Sequence, residues 1–363
     1  MKPRIRKNIL NLVPYQPGKP IAEVKRQLKL KNKIIKLASN ENPLGVSPKA
    51  SQAIKKALGE VNRYPEGRCF YLRQALSRKY KLAPENFVFG NGSDELIDII
   101  IKTFVEENEN IITADITFLE YHILAQVLGR RVIKVGLCDF RYDLKAMLDR
   151  INKKTKVIFI ANPNNPTGTY VNRKELNQFL SQVPPYVIVV LDEAYDIFVD
   201  VADFPQSLGY LKRGNVIVLK TFSKTYGLAG LRIGYAVSCS RLISYMERAR
   251  PPFNVNYLAQ TGATAALEDK VFIKKTRQII LQGKRYLYCK LERLGLHFVP
   301  TVANFILIDI GTNGLEVSKR MLKFGVIVRD MEQYGLDNFI RVTIGTPSEN
   351  ERFIKVLKKI LNC

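Results

Sequence analysis

The chain has 363 residues, 46% hydrophobic and 25% charged, the proportions of an ordinary soluble globular protein with room for a large domain and a smaller one. Its 57 Lys and Arg against 33 Asp and Glu give a formal charge of +24, a field that draws in anions. Two histidines, and five cysteines (Cys69, Cys138, Cys239, Cys289 and Cys363) without a CxxC spacing, argue against a metal site, a His-centred triad or a disulfide framework.

The N-terminus, MKPRIRKNILNLVPYQPG, is basic, but Asn11 and Pro14 break its apolar stretch. It does not read as a signal peptide. No window of 18 apolar residues predicts a membrane span. We expect a cytoplasmic protein with no membrane partner. The densest basic run, KRQLKLKNKIIK (25–36), has six cations in twelve residues. It has no interleaved aromatic to stack on a base, and no finger, RRM or KH signature accompanies it. We expect no nucleic-acid partner and read the excess charge as a lysine-rich surface.

From about residue 87 the pattern alternates between strand, loop and helix. Buried strands are predicted at 87–89, 110–113, 131–135, 156–161, 186–191, 215–220 and 232–237, each a short apolar run. Helical periodicity falls between most of them, as at 93–105 and 173–183. This predicts an α/β fold with a mostly parallel central sheet flanked by helices. A long helical stretch follows over 256–294, then short strands near 304–309, 326–329 and 339–344 and a closing helix near 348–361. These form a smaller α+β domain. The expected division is an arm over 1–40 that packs on the small domain or a partner subunit, a large domain over 41–255, and a connecting helix with the small domain over 256–363.

Ligands of open α/β sheets collect beyond the carboxyl ends of the strands, and four strand ends here are rich in polar residues. GNGSDELI (90–97) is a Gly-rich turn opening a helix near Ser93. Free N–H groups there attract an anion; a plain N-cap by Ser93, with Asp94 and Glu95 in the first turn, accounts for it equally. NPNNPTG (162–168) reads as turn chemistry, or as a way to aim the Asn165 amide into a site. Asp192 ends a wholly apolar strand, as an N-cap or as the partner of a protonated ring nitrogen, and Tyr195 follows three residues later. TFSK (221–224) decides the matter. A lysine with a lowered pKa attacks aldehydes and forms an imine. Thr221, Ser223 and Arg232 offer hydroxyl and guanidinium donors for a phosphate. A lysine, an acid for a ring nitrogen and a phosphate cup together describe pyridoxal 5'-phosphate.

In chain order, VPYQPGKP (13–20), LASNENPLGVSP (37–48), NRYPEG (62–67), GNGSDELI, NPNNPTGTY, LDEAY, TFSKTYGLAGLRIGYAV (221–237), NFILID (304–309), GVIVRD (325–330) and FIRVTIGT (339–346) span the chain. With this set the chain resembles the fold-type I, class II aminotransferases and, within them, those acting on histidinol phosphate. The resemblance implies that Lys224 bonds the cofactor and moves a proton. It implies that Asp192 faces the ring nitrogen, Asn165 and Tyr195 the ring hydroxyl, and Phe118 the ring face. The phosphate would be held by Thr221, Ser223, Arg232 and the backbone of Gly92, Ser93 and Asp94. Tyr64 would reach the cofactor of a neighbouring subunit, which implies a homodimer with shared sites. Arg341 would meet a substrate carboxylate and Arg329 the substrate phosphate, with Tyr15 and Asn42 lining the pocket. One segment departs from the family: in ADITFLEY (114–121), Ile116 stands where a proline is usual, and Phe118 lacks the hydroxyl a tyrosine would offer.

The implied reaction exchanges the amino group of L-glutamate with imidazole-acetol phosphate, giving 2-oxoglutarate and L-histidinol phosphate, in two half-reactions. An aromatic-amino-acid aminotransferase and a threonine-phosphate decarboxylase are the alternative readings within the resemblance.

Overall fold

The computed structural model of the chain describes residues 4–28 and 34–361. The middle of the basic run 25–36 and Cys363 lie outside these residues.

A seven-stranded sheet forms the centre. Across it run Phe87–Gly90, Gly234–Val237, Val216–Thr221, Ile188–Asp192, Thr155–Ala161, Asn110–Ala114 and Arg131–Val135. The last five are parallel to one another. Gly234–Val237 is antiparallel to both its neighbours. The sheet is thus mostly parallel, as expected, with one reversed strand that the sequence pattern did not reveal.

Successive strand residues point to opposite faces, and each face is apolar because helices cover both. Val189, Leu191, Val216 and Val218 join one core, covered by the helices Pro48–Ala57, Phe70–Tyr80, Arg173–Gln182 and Tyr257–Leu267. Ile188, Val190, Ile217 and Leu219 join the other, covered by Ser93–Phe104, Glu120–Val127 and Ser240–Ala249.

The smaller domain has a four-stranded antiparallel sheet of Phe298–Val299, Phe305–Asp309, Phe339–Thr343 and Arg329–Asp330. The helices Lys270–Arg293, Gly314–Lys323 and Pro347–Leu361 pack on it. The predicted helical stretch 256–294 is two helices. Asp269 caps the second through Phe272 N. The first, Tyr257–Leu267, buries Ala259, Ala263 and Ala266 in the core beside the seven-stranded sheet.

The N-terminal segment touches both domains. Asn8 Nδ2 donates to the carbonyls of Gln126 and Val127, both at 2.7 Å, on the large domain. Ile35–Lys36 pairs in parallel with Val326–Ile327 of the small one. Among the described residues no helix is long and apolar enough to cross a membrane.

Candidate active site

Strand alternation decides which side chains meet. Asp192 follows Val190 and Ile188 onto one face of the sheet, and Thr221 follows Leu219 and Ile217 onto the same face. Phe118 and Tyr121, from the segment after Asn110–Ala114, cover that face. A cavity of about 300 Å³ opens beyond these strand ends. Surface hollows of about 670 and 960 Å³ exist elsewhere, but none of these strand-end residues lines them.

Lys224 and Asp192 face into the cavity. Lys224 Nζ donates to the Ser39 carbonyl at 2.9 Å and lies 5.8 Å from the centroid of the Tyr195 ring. Burial, reinforced by the Arg341 charge, lowers its pKa to about 8. A usable share of neutral amine follows near physiological pH. Asp192 is buried; its Oδ2 accepts from Tyr121 Oη at 2.7 Å and its Oδ1 from Ala194 N at 3.2 Å. Burial pushes its carboxyl up to about 6, and the Tyr121 donor restrains the rise.

At the anion-binding corner the helix Ser93–Phe104 begins at Gly92, φ +90°, with no capping side chain. The cap position therefore falls to Gly92 and not to Ser93, which leaves first-turn N–H groups for an anion. A Cβ on Gly92 would stand 2.5 Å from Arg232 Nη2, so glycine is what lets the guanidinium lie against the helix start. Arg232 pairs with Asp94 at 2.8 Å. Thr221 and Ser223 line the same cavity, with Ser223 N donating to Thr221 Oγ1 at 3.1 Å.

The opposite wall comes from the loop after Ala161 and from the small domain. Asn165 Oδ1 accepts from Arg341 Nη1, which leaves the Asn165 amide N–H free to donate. Arg341 Nη2 donates to the Ala38 carbonyl at 2.9 Å, while its buried Nε has no protein partner. Tyr195 Oη accepts from Asn40 Nδ2 at 3.0 Å and keeps its own hydrogen. Despite Ile116, Phe118 lines the cavity. Thr117 pins that segment through Oγ1 contacts to Asn164 Oδ1 at 2.9 Å and Tyr142 Oη at 2.6 Å.

Two expected site residues lie elsewhere. Asn42 does not line the cavity; its Nδ2 donates to the Thr225 carbonyl at 2.7 Å and to Thr276 Oγ1 at 3.1 Å. The cavity takes Ser39, Asn40 and Glu41 instead, because Asn40 sits at φ +54° and turns the chain there. Arg329 is buried behind Tyr15, its guanidinium 5.5 Å from the ring centroid, and donates to Gln333 Oε1 at 3.0 Å. Tyr15 itself lines the cavity. Tyr64 is 83% exposed on this chain and stacks on Phe253 at 4.9 Å. The sequence reading missed Tyr121 and Glu120. The signal for Tyr121 was its place three residues after Phe118, whose ring it meets edge-on at 5.7 Å.

Residues 32–357 match the family model of aminotransferase class I and II. The chain belongs to that family. This aminotransferase is 50% identical over 361 residues to a histidinol-phosphate aminotransferase of Moorella thermoacetica, covering 99% of this chain and 93% of the relative. It is 44% identical to histidinol-phosphate aminotransferase 2 of Carboxydothermus hydrogenoformans, over 98% of this chain and 99% of that one. The solved histidinol-phosphate aminotransferase of Sinorhizobium meliloti, in complex with pyridoxal-5'-phosphate, superposes with a TM-score of 0.91 at 26% identity, covering 100% of this chain and 98% of that chain.

The cofactor of the aminotransferase is pyridoxal 5'-phosphate, and the residues present fit it. The uncapped helix start, Arg232, Ser223 and Thr221 form an anion cup. Asp192 is a buried carboxylate that would suit a cationic ring nitrogen, and Lys224 is a buried amine of lowered pKa. Among the described residues, no group of three or more His, Cys, Asp or Glu side chains is placed to hold a metal ion.

Proposed function

We infer that the enzyme transfers an amino group between L-histidinol phosphate and 2-oxoglutarate, giving imidazole-acetol phosphate and L-glutamate, a step of histidine biosynthesis. The observation that carries this reading is the 50% identity, along 99% of the chain, to an enzyme named for that substrate.

When bound, pyridoxal 5'-phosphate supplies a carbonyl that takes up the amine and a ring that holds the electrons of the broken C–H bond. The protein's side chains do the rest. Arg232, Ser223, Thr221 and the helix start would hold the cofactor phosphate. Asp192 would keep a proton on the ring nitrogen, and Tyr121 fixes that carboxylate in place. Asn165 and Tyr195 each retain a free donor for the ring hydroxyl, and Phe118 would cover the ring. Lys224 Nζ then takes the proton from the carbon that bears the substrate's amine. Arg341, with Nε unpartnered, would bind the anionic group of either substrate, since its fork suits carboxylate and phosphate alike.

We further propose a cytoplasmic homodimer with shared active sites. Tyr64 is 83% exposed, and Tyr71, Val61 and Phe70 nearby are also exposed. An apolar surface of this kind suits an interface, and Tyr64 would reach across it.

Purified, cofactor-loaded enzyme given L-histidinol phosphate and 2-oxoglutarate should release L-glutamate. No glutamate from that pair, with release from phenylalanine instead, would overturn the substrate assignment.

A further inference from the structure

Beneath the cofactor-facing side of the sheet lies a charged cluster that the mechanism above does not use. Lys220 precedes Thr221 and follows Val216 and Val218 onto the opposite face. Glu193 follows Leu191 and Val189 onto the same face. Lys220 Nζ donates to Glu193 Oε2 at 2.7 Å and to Asp196 Oδ2 at 2.5 Å. The Lys220 and Glu193 side chains are buried. Burial alone would lower the Lys220 ammonium, but Asp196 and Glu193 outweigh it and hold the group well above its ordinary value.

Glu193 and Asp196 bracket the segment between Asp192 and Tyr195, which face the cofactor. The strand of Lys220 continues into Thr221, Ser223 and Lys224. One ammonium therefore fastens two segments that carry five of the proposed cofactor-facing side chains. A second tie lies alongside. Lys79 Nζ donates to Tyr226 Oη at 2.8 Å, two residues beyond Lys224. Tyr80 and Tyr235 share a hydrogen bond at 2.7 Å, and Tyr235 is the cross-strand neighbour of Lys220.

We propose that Lys220 is a positioning residue for the amino transfer, holding Asp192 and Tyr195 in register with Thr221 and Lys224 from the far side of the sheet. Preorganised groups act on the chemical step more than on binding. The loss should therefore fall on kcat. The inference rests on the aminotransferase reading above.

The test uses cofactor-loaded enzyme carrying Lys220→Met or Lys220→Arg. Lys284→Met is the control, because Lys284 is a buried lysine paired with Asp200 at 2.7 Å, outside the 192–196 segment. For Lys220→Met we expect at least a tenfold loss in kcat with KM for L-histidinol phosphate within threefold. The pH midpoint of the bound cofactor's visible absorption should move by at least half a unit. Lys220→Arg should restore kcat to within threefold of wild type, and Lys284→Met should leave the midpoint where it was. Asp196→Asn, which keeps the buried Glu193 pair, should reproduce the midpoint shift in milder form even if Lys220→Met does not fold. A wild-type midpoint in Lys220→Met or Asp196→Asn would overturn the proposal, as would an equal shift in Lys284→Met. Wild-type enzyme inert toward L-histidinol phosphate would overturn the underlying reading instead.

Discussion

Tyr121 Oη donates to Asp192 Oδ2 at 2.7 Å inside a fully buried contact. The ring stacks on Phe159 at 4.8 Å, so the hydroxyl has a fixed aim. Removing it in Tyr121→Phe leaves a buried carboxylate oxygen short of a donor, a loss of about 1–3 kcal/mol. Asp192 has a carboxyl pKa of about 6. As the pH falls through that value it protonates and ceases to favour a cationic ring. Cofactor affinity should therefore weaken below pH 6 in the wild type. In Tyr121→Phe the weakening should begin at higher pH, because the donor that restrains the carboxyl pKa is gone. Affinity titrations across the pH range check both.

Lys224→Ala should abolish the visible absorption of the protein-bonded cofactor and lower turnover by several orders of magnitude. Absorbance spectra and single-turnover kinetics are the measurements. Retained turnover would exclude Lys224 as the proton carrier.

Two arginines separate cofactor from substrate. Arg232→Ala should raise the cofactor dissociation constant more than it alters substrate preference, since Arg232 lies against the Gly92 helix start. Arg341→Gln should do the reverse, raising KM for both amine donors by tenfold or more. It should also raise the Lys224 pKa above about 8, because the Arg341 cation lowers it. Equilibrium dialysis and steady-state kinetics resolve the two effects.

Asp269 joins two helices of the fold. Its Oδ2 accepts from Ser47 Oγ at 2.7 Å and from Lys49 N at 3.3 Å, and Oδ1 from Phe272 N at 3.2 Å. Against the upward push of burial, these donors hold its pKa below the ordinary value. The stabilisation is present above the unfolded pKa and is lost as the pH falls through the folded one. Asp269→Ala should cost about 2 kcal/mol at pH 7. The difference from wild type should shrink below about pH 4. Denaturant unfolding at the two pH values is the check.

The strands were legible because sheets covered on both faces need continuous apolar runs. The strand Gly234–Val237 was legible too, but its reversed direction was not, since an apolar run reads the same either way. Asp192 and Thr221 were legible as polar residues closing apolar strands, and Lys224 as the lysine just beyond one of them. Asn42 was misplaced because the left-handed turn at Asn40, two residues earlier, decides which of four consecutive polar residues face inward. Arg329 and Arg341 are cross-strand partners, and only three-dimensional packing separates the one at the cavity from the one behind Tyr15. Lys220 passed unnoticed because a lysine inside an apolar run shows no partner until Glu193 and Asp196 fold beneath it.

Amino transfer from L-histidinol phosphate shows itself in a half-reaction on cofactor-loaded enzyme without an acceptor. L-histidinol phosphate, phenylalanine and threonine phosphate are added separately, and loss of the protein-bonded cofactor's absorption is followed alongside carbon dioxide release. The enzyme should convert fast with L-histidinol phosphate, at least a hundredfold more slowly with phenylalanine, and release no carbon dioxide from threonine phosphate. Faster conversion with phenylalanine, or carbon dioxide from threonine phosphate, would contradict the substrate assignment.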